Sequence, residues 1–234
     1  MIPVNHPGPH GVLWRLDGPT FVMEIPEVAT YRVRDSVINV QPEPGGQGSP
    51  LDSFARATPQ AVAFFQQGVL ATHAATVLAP AEWFNSGDEP RAIVIAGDSG
   101  SGKSAIAAAL VDVGGELIHD DLTPVDISPN RRVVVLAPDS GSIPIGAIFT
   151  VHLAPGHNQA TCIRRQGVEA FESMTRMVYQ SHVAEAVLGP AAVLRIASTI
   201  LGKIHVFGLE RPRGTEPALL TGLIAAALME PAHA

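Results

Sequence analysis

The chain has 234 residues, 46% of them hydrophobic, enough for one substantial α/β core with some appended structure and too few for two full domains. Fifteen Lys and Arg against 22 Asp and Glu give a net charge of −7 with no basic run, which excludes the electrostatic footprint of a nucleic-acid or anionic-membrane binder. The single cysteine, Cys162, excludes an intramolecular disulfide and a cysteine-built metal cage and suits a reducing cytosol.

The first ten residues, with three prolines and two histidines, read as a poorly ordered arm. Where a signal sequence needs an apolar core, residues 1–20 hold Pro, His and Asp, so the expected location is cytoplasmic. Thr20–Ile25 and Tyr31–Val40 are rich in β-branched and aromatic residues and predict strands, an antiparallel lead-in to the main sheet. Residues 41–50 read as a loop or linker by composition. Thr58-Pro59 sets an N-cap with proline at the first helical position and predicts a helix over Pro59–Gln67, closed by Gly68. Residues 1–68 thus form a strand-rich lead-in with an arm and a linker, and residues 69–234 the main domain.

Val69–Val77 predicts a strand that carries His73. Residues 79–90 form a loop between neighbouring strands, with Trp83 and Phe84 packing it down. Ala92–Ala96 is a continuous apolar run, the pattern of a strand buried on both faces, and Ser104–Val111 is an alanine-rich helix stopped by Gly114-Gly115. Val133–Leu136 and Ala147–Leu153 predict strands separated by a turn at Asp139-Ser140-Gly141. Val168, Phe171, Met174, Val178 and Ala186 recur at helical spacing as far as Gly189-Pro190, predicting one amphipathic helix in which Met174 and Met177 fill core. Then follow a helix over Ala191–Leu201, a strand over Lys203–Leu209, a loop over 210–216 and a closing helix over Pro217–Glu230. The apolar stretch Ala218–Met229 inside that helix is too short to span a bilayer. Cys162, beside Arg164 and Arg165, reads as a buried or incidental cysteine.

Residues 97–104 read Gly-Asp-Ser-Gly-Ser-Gly-Lys-Ser and fit G-x-x-x-x-G-K-[ST], between a buried strand and a helix. Such a loop wraps a polyphosphate in its backbone N–H groups. Gly97, Asp98, Ser99, Gly100, Ser101, Gly102, Lys103, Ser104 and Ala105 are the candidate nucleotide contacts, with Lys103 neutralising β/γ oxygens and Ser104 reaching Mg²⁺. Seventeen positions past Lys103 the chain reads His119-Asp120-Asp121, at the end of the strand that follows the helix. One such carboxylate can hold Mg²⁺ and the other can take a proton from an incoming hydroxyl. Because neighbouring strand residues face opposite ways, the pattern alone leaves open which one meets the phosphate, and a simple turn into Leu122-Thr123-Pro124 is the structural alternative.

The loop, the alanine-rich helix and the Asp-Asp pair resemble the catalytic domain of the HPr kinase/phosphorylase family, whose P-loop fold is similar to phosphoenolpyruvate carboxykinase, a mixed α/β sheet with flanking helices. The resemblance implies that Asp120 is the proton acceptor for a serine hydroxyl and Asp121 its metal-side partner. It also implies that His73, in Leu70-Ala71-Thr72-His73-Ala74, matches a family histidine bonded near the catalytic aspartate, and that Arg211 and Arg213 match an arginine loop suited to phosphate charge. The likeness covers roughly residues 70–230. It departs in three places: the acidic and basic residues of a family Glu-Ile-Arg-Gly-Leu-Gly segment are replaced by Ser142-Ile143-Pro144-Ile145-Gly146, the N-terminal domain is reduced to about seventy residues, and no segment that would position HPr is recognisable. The resemblance is therefore to short, divergent HPr-kinase-like proteins, some of which phosphorylate other hydroxyls.

These readings together predict an ATP- and Mg²⁺-dependent kinase acting on a hydroxyl-bearing peptide, protein or small molecule, with no nucleic-acid or membrane partner. The alternative is a nucleotide-binding regulatory module that kept the loop and lost transfer. A carboxykinase-like enzyme needs a histidine and lysine metal pair that the sequence does not supply. The resemblance implies a homo-oligomer, which nothing in the residues decides.

Overall fold

A computed structural model describes residues 6–7, 11–44, 49–84, 89–139 and 141–229. The strands are β1 (His6–Pro7), β2 (Leu13–Asp17), β3 (Thr20–Ile25), β4 (Ala29–Arg34), β5 (Val37–Pro42), β6 (Leu70–Ala79), β7 (Arg91–Gly97), β8 (Glu116–His119), β9 (Leu122–Ile127), β10 (Val133–Ala137), β11 (Gly141–Leu153), β12 (Thr161–Arg165) and β13 (His205–Arg211). The helices are α1 (Ser49–Ala55), α2 (Thr58–Gln66), α3 (Lys103–Asp112), α4 (Gly167–Met177), α5 (Ser181–Leu188), α6 (Pro190–Leu201) and α7 (Pro217–Leu228). Two compact units emerge, one of residues 1–71 and 180–193, the other of residues 72–179 and 194–234.

In the first unit β1 to β5 form an antiparallel sheet in chain order. The predicted strand Tyr31–Val40 is two strands. Asp35 and Ser36 break it, both at positive φ (50° and 65°), which matches the twist of a tight hairpin and which a short polar Asp tolerates better than most residues. Gln66 holds this turn, accepting from Ser36 N at 2.8 Å and donating to Val33 O at 3.1 Å, and it also donates to Pro19 O at 3.1 Å. These strands form a sheet of their own rather than a lead-in to the main one, and β2, which the sequence reading passed over, pairs with β3 through Asp17 and Thr20. Trp14, Phe21, Tyr31 and Phe65 are its buried aromatics, and the Tyr31 hydroxyl donates to Leu51 O at 3.0 Å.

Two helical expectations change here. Part of the supposed 41–50 linker is ordered as the end of β5 and the start of α1; residues 45–48 lie outside the described residues, as does most of the predicted N-terminal arm. Thr58 does not cap α2. The cap position is Ala57, whose methyl group can make no side-chain bond, and Thr58, already inside the first turn, accepts from Gln180 Nε2 at 2.8 Å.

The second unit is a mixed sheet with flanking helices. Its strands run β10-β9-β6-β7-β11-β13-β12, β8 pairs with β6, and a further β10–β11 pairing closes β9, β6, β7, β11 and β10 into a ring. β7, β11 and β13 are parallel, so their C-terminal ends share one edge. Alternation sends Ile93, Ile95, Phe149, Val151, Phe207 and Leu209 to the face covered by α3 and α7, where Phe149 stacks on Phe207 with centroids 5.1 Å apart. Phe84 belongs to the same core and Trp83 packs against it, as the sequence reading expected. Residues 85–88 of that loop lie outside the described residues.

The single long helix expected up to Gly189 is broken. Val178 is extended and bridges to Thr72 of β6, Gln180 takes a positive φ of 42°, and the chain restarts as α5. Met174 and Met177 are buried as expected, whereas Val168 is 73% exposed. β12 joins the sheet edge beside β13 with no sequence signal that identified it, and β13 runs on through Arg211, so the expected 210–216 loop is shorter. Cys162 is half-buried. No single helix among the described residues is long and apolar enough to cross a membrane.

Phe149 is fully buried under α7, so Phe149→Ala is expected to lower unfolding free energy by about 3–5 kcal/mol in denaturant titration. A loss below about 1 kcal/mol would show that the stacked pair is not central to this core.

Candidate functional site

The glycine-rich loop begins where β7 ends. At Gly97 a side chain has no room, since a Cβ would sit 2.6 Å from Val151 O and 2.8 Å from Ser101 Oγ, and its φ of 151° lies in the glycine-favouring region. Ser101 N bonds back to Asp98 O at 3.0 Å, Gly102 caps α3 in a left-handed conformation, and the first helical bond is Ile106 N to Gly102 O. The N–H groups of Lys103, Ser104 and Ala105 therefore have no hydrogen-bond partner among the described residues, at the positive end of a helix dipole. Ser101 Oγ is buried without a partner in the same loop. Orphaned donors around a curled backbone fit an anion.

Lys103 is 7% exposed, and its Nζ donates to Gly97 O at 2.8 Å and Asp98 O at 3.2 Å. Burial draws its pKa below the ordinary value, opposed by the carboxylates of Asp121, Asp98 and Asp120. The loop and the aspartate pair thus share one electrostatic neighbourhood.

Sheet register accounts for that meeting. Ala74 pairs with Ala96, which sets His73 beside the start of the loop. β8 runs antiparallel to β6 with His119 opposite Thr76, the chain bends at Asp120 and Asp121, and β9 continues beside β6. Three fully buried threonines fix this seam: Thr72 Oγ1 donates to Thr123 O at 2.9 Å, Thr123 Oγ1 donates to Ala74 O at 2.8 Å, and Thr76 and Thr123 hydroxyls lie 2.8 Å apart. Ala74 N donates to Asp121 O at 3.2 Å, and His73 Nε2 lies 2.9 Å from Asp121 Oδ1. The histidine thus meets Asp121, whereas the resemblance associates it with the catalytic aspartate. Asp120 is exposed and has no hydrogen bond or ion pair among the described residues.

Arg211, last residue of β13, lies across the loop. Its Nε and Nη2 both donate to Ser101 O, at 2.9 and 2.6 Å. Gly102 makes room, since a Cβ there would fall 2.6 Å from Arg211 Nη2. Arg213 is exposed in the following turn and makes no hydrogen bond or ion pair among the described residues. Ser104 and Ala105 are exposed at the first turn of α3, and Asp98, Ser99 and Gly100 are exposed along the loop. Ser142–Gly146 belongs to the first half of β11, where Ile143 and Ile145 are buried.

The described residues hold no cluster of three or more His, Cys, Asp or Glu side chains able to cage a metal. A Mg²⁺ ion carried by phosphates needs only one or two protein oxygens, and Ser104 with Asp121 are chemically suited to supply them.

The sequence reading missed the threonine seam and a second polar group at the same edge, built from His152, Arg165 and Glu210. His152 and Glu210 are register partners, and Arg165 Nη2 donates to Glu210 Oε1 at 2.5 Å. The only local signal is a histidine and a glutamate at the ends of apolar strands.

A scan against protein-family models and a search of curated proteins gave no match. Among solved structures the chain is similar to the HPr(Ser) kinase/phosphatase from Coxiella burnetii, at 15% identity and a TM-score of 0.35 over 67% of this chain and 95% of that one.

His119, His152 and His205 all have pKa values lowered from 6.5, chiefly by burial, with Arg165 adding to the effect at His152 and Arg164 at His205. On acidification the unfolded chain takes up these protons first, so stability present above about pH 6.5 is lost as pH falls through the folded values. Melting temperature is expected to drop between about pH 7.5 and about pH 5.5, with a shallower drop in the His119→Gln, His205→Gln double variant. Equal slopes would contradict the assignment.

Proposed function

We propose that the second unit is an ATP- and Mg²⁺-dependent phosphotransferase that moves the terminal phosphoryl group to a hydroxyl of a peptide, a protein or a small alcohol. The observation that carries this reading is the meeting of loop and aspartate pair: Lys103 is buried against the loop it closes, and His73, set beside the start of that loop by the sheet register, lies 2.9 Å from Asp121 Oδ1. A loop that held a polyphosphate with no carboxylate nearby would only bind; carboxylates beside the same lysine add a place for a proton and for a metal.

In the proposed reaction the N–H groups of Lys103 to Ala105 and the Ser101 hydroxyl bind phosphate oxygens, and Lys103 turns from the loop carbonyls to the β/γ oxygens. Arg211 acts on the loop by fixing the Ser101 carbonyl, a positioning role. Ser104 and Asp121 are the residues that would hold Mg²⁺, which supplies charge neutralisation at the β- and γ-oxygens. His73 fixes one oxygen of Asp121 and leaves the other for that task. Asp120, with both oxygens unengaged, accepts the acceptor's hydroxyl proton as its oxygen bonds to the γ-phosphorus and the bond to the bridging oxygen breaks, releasing ADP. Arg213, exposed nearby in sequence, is a candidate contact for the same charge.

Incubation with γ-labelled ATP, Mg²⁺ and a panel of alcohols and serine peptides tests the proposal. Asp120→Asn is expected to leave ATP affinity unchanged while cutting transfer by about 10²-fold or more. Unchanged turnover in that variant would remove Asp120 from the role, and ATP binding with no transfer to any hydroxyl would leave a nucleotide-responsive module instead.

A further inference from the structure

Beside the glycine-rich loop, at the C-terminal ends of β11 and β13, lies a cavity of about 280 Å³ lined by His152, Arg165, Glu169, Glu172, Arg176 and Glu210 among others. Its place is set by the sheet: Val151 pairs with Gly97, and the next residue, His152, pairs with Glu210. Asp98 follows Gly97 directly, so the loop leaves the sheet next to the strand that carries His152.

The walls are built rather than incidental. Arg165 is 19% exposed and spans two carboxylates, Glu210 Oε1 at 2.5 Å and Glu169 Oε2 at 3.1 Å. A Cβ at Gly208 would meet Arg165 Nε, so in this arrangement the guanidinium lies directly over the glycine. Glu210 is itself 23% exposed, with His157 Nδ1 3.4 Å from its other oxygen. Holding this many charges half-buried costs solvation, which an apolar wall would not.

The lining contains three carboxylates against two guanidiniums, and Asp98 adds a further negative charge at the loop side. That excess disfavours a second phosphate group. The lining has no aliphatic, Phe, Tyr or Trp side chain, so it lacks the apolar walls of a nucleobase pocket, and its planar guanidiniums are already turned to carboxylates. What it offers is carboxylate oxygens: Glu169 and Glu172 lie three residues apart on α4, hence on one side of it, and Arg176 stands 3.9 Å from Glu172.

We infer that this cavity is the acceptor site and that the acceptor is a small alcohol bearing an ammonium group, its N–H donors shared among Glu169, Glu172 and Glu210 and its hydroxyl reaching toward the loop. The inference rests on the phosphotransfer reading given above. The transfer itself is the one already balanced, with the hydroxyl proton going to Asp120 and ADP leaving.

Ethanolamine, ethylene glycol and glycolate differ mainly in carrying an ammonium, a neutral or an anionic group beside one hydroxyl, and they make the test. With the full chain, binding is followed by protein NMR shifts without nucleotide, and transfer by γ-labelled ATP. Ethanolamine is expected to shift resonances of His152 and Arg165 and to be phosphorylated with kcat/KM at least about tenfold above the other two. The Glu169→Gln, Glu172→Gln double variant, whose side chains are mostly exposed, is expected to raise KM for ethanolamine about tenfold while ATP affinity stays unchanged. Equal use of the three alcohols, no shift at His152 with ethanolamine, or an unaltered KM in the double variant would overturn the inference. Ethanolamine binding at His152 with transfer to another hydroxyl but not to ethanolamine would overturn the inference alone, whereas ATP that fails to bind, or that binds with no transfer to any hydroxyl, would overturn the phosphotransfer reading.

Discussion

The position of the aspartate pair depends on three threonine hydroxyls with no access to water. Thr72, Thr76 and Thr123 satisfy one another and two backbone carbonyls, so β9 cannot slide along β6 without leaving buried polar groups unpaired, at about 1–3 kcal/mol each. Their seam sets Asp120 and Asp121 at the bend between β8 and β9, opposite His73 and within electrostatic reach of Lys103. A purely apolar seam would bury as much surface but would tolerate a shift of register. The hydroxyls supply direction.

Two arginines at the edge strands complete the arrangement in the same way. Arg211 lies over Gly102 and grips the Ser101 carbonyl; Arg165 lies over Gly208 and joins Glu210 to Glu169. In each case a long cationic side chain fills the place where a Cβ would be, so backbone and guanidinium approach more closely than any other residue allows. One arginine stiffens the glycine-rich loop and the other walls the neighbouring cavity. The proposed phosphate grip and the proposed acceptor recognition are thus both tied to residues of the β12–β13 pair, while the carboxylates come from the opposite side of β7.

What was legible in the sequence was what the local chain decides. The strand, glycine-rich loop and helix around residues 97–104 follow from β-branched, glycine and alanine content alone, and the structure has that order. The broken helix at Val178 was not legible because its cause is a bridge to Thr72, over a hundred residues away. The hairpin at Asp35-Ser36 hid inside a stretch rich in β-branched and aromatic residues on both of its sides, where alternating polar residues such as Arg32 and Arg34 read as the exposed face of one continuous strand. Thr72 and Thr76 were visible as polar interruptions of an apolar strand, but their partner Thr123 could be known only from pairing. Likewise His73 was singled out correctly as a feature of β6, while its contact with Asp121 rather than Asp120 depends on the bend after β8.

The central claim is that the glycine-rich loop and the aspartate pair form one nucleotide and metal site. Its most direct measurement is amide NMR of the labelled full chain with Mn²⁺·ATP in place of Mg²⁺·ATP, where paramagnetic broadening marks the residues around the metal. Joint loss of the Ser104, Asp120, Asp121 and His73 resonances is predicted, with those of the first unit's hairpin at Asp35-Ser36 retained. Broadening confined to the loop, with Asp120, Asp121 and His73 unaffected, would contradict it.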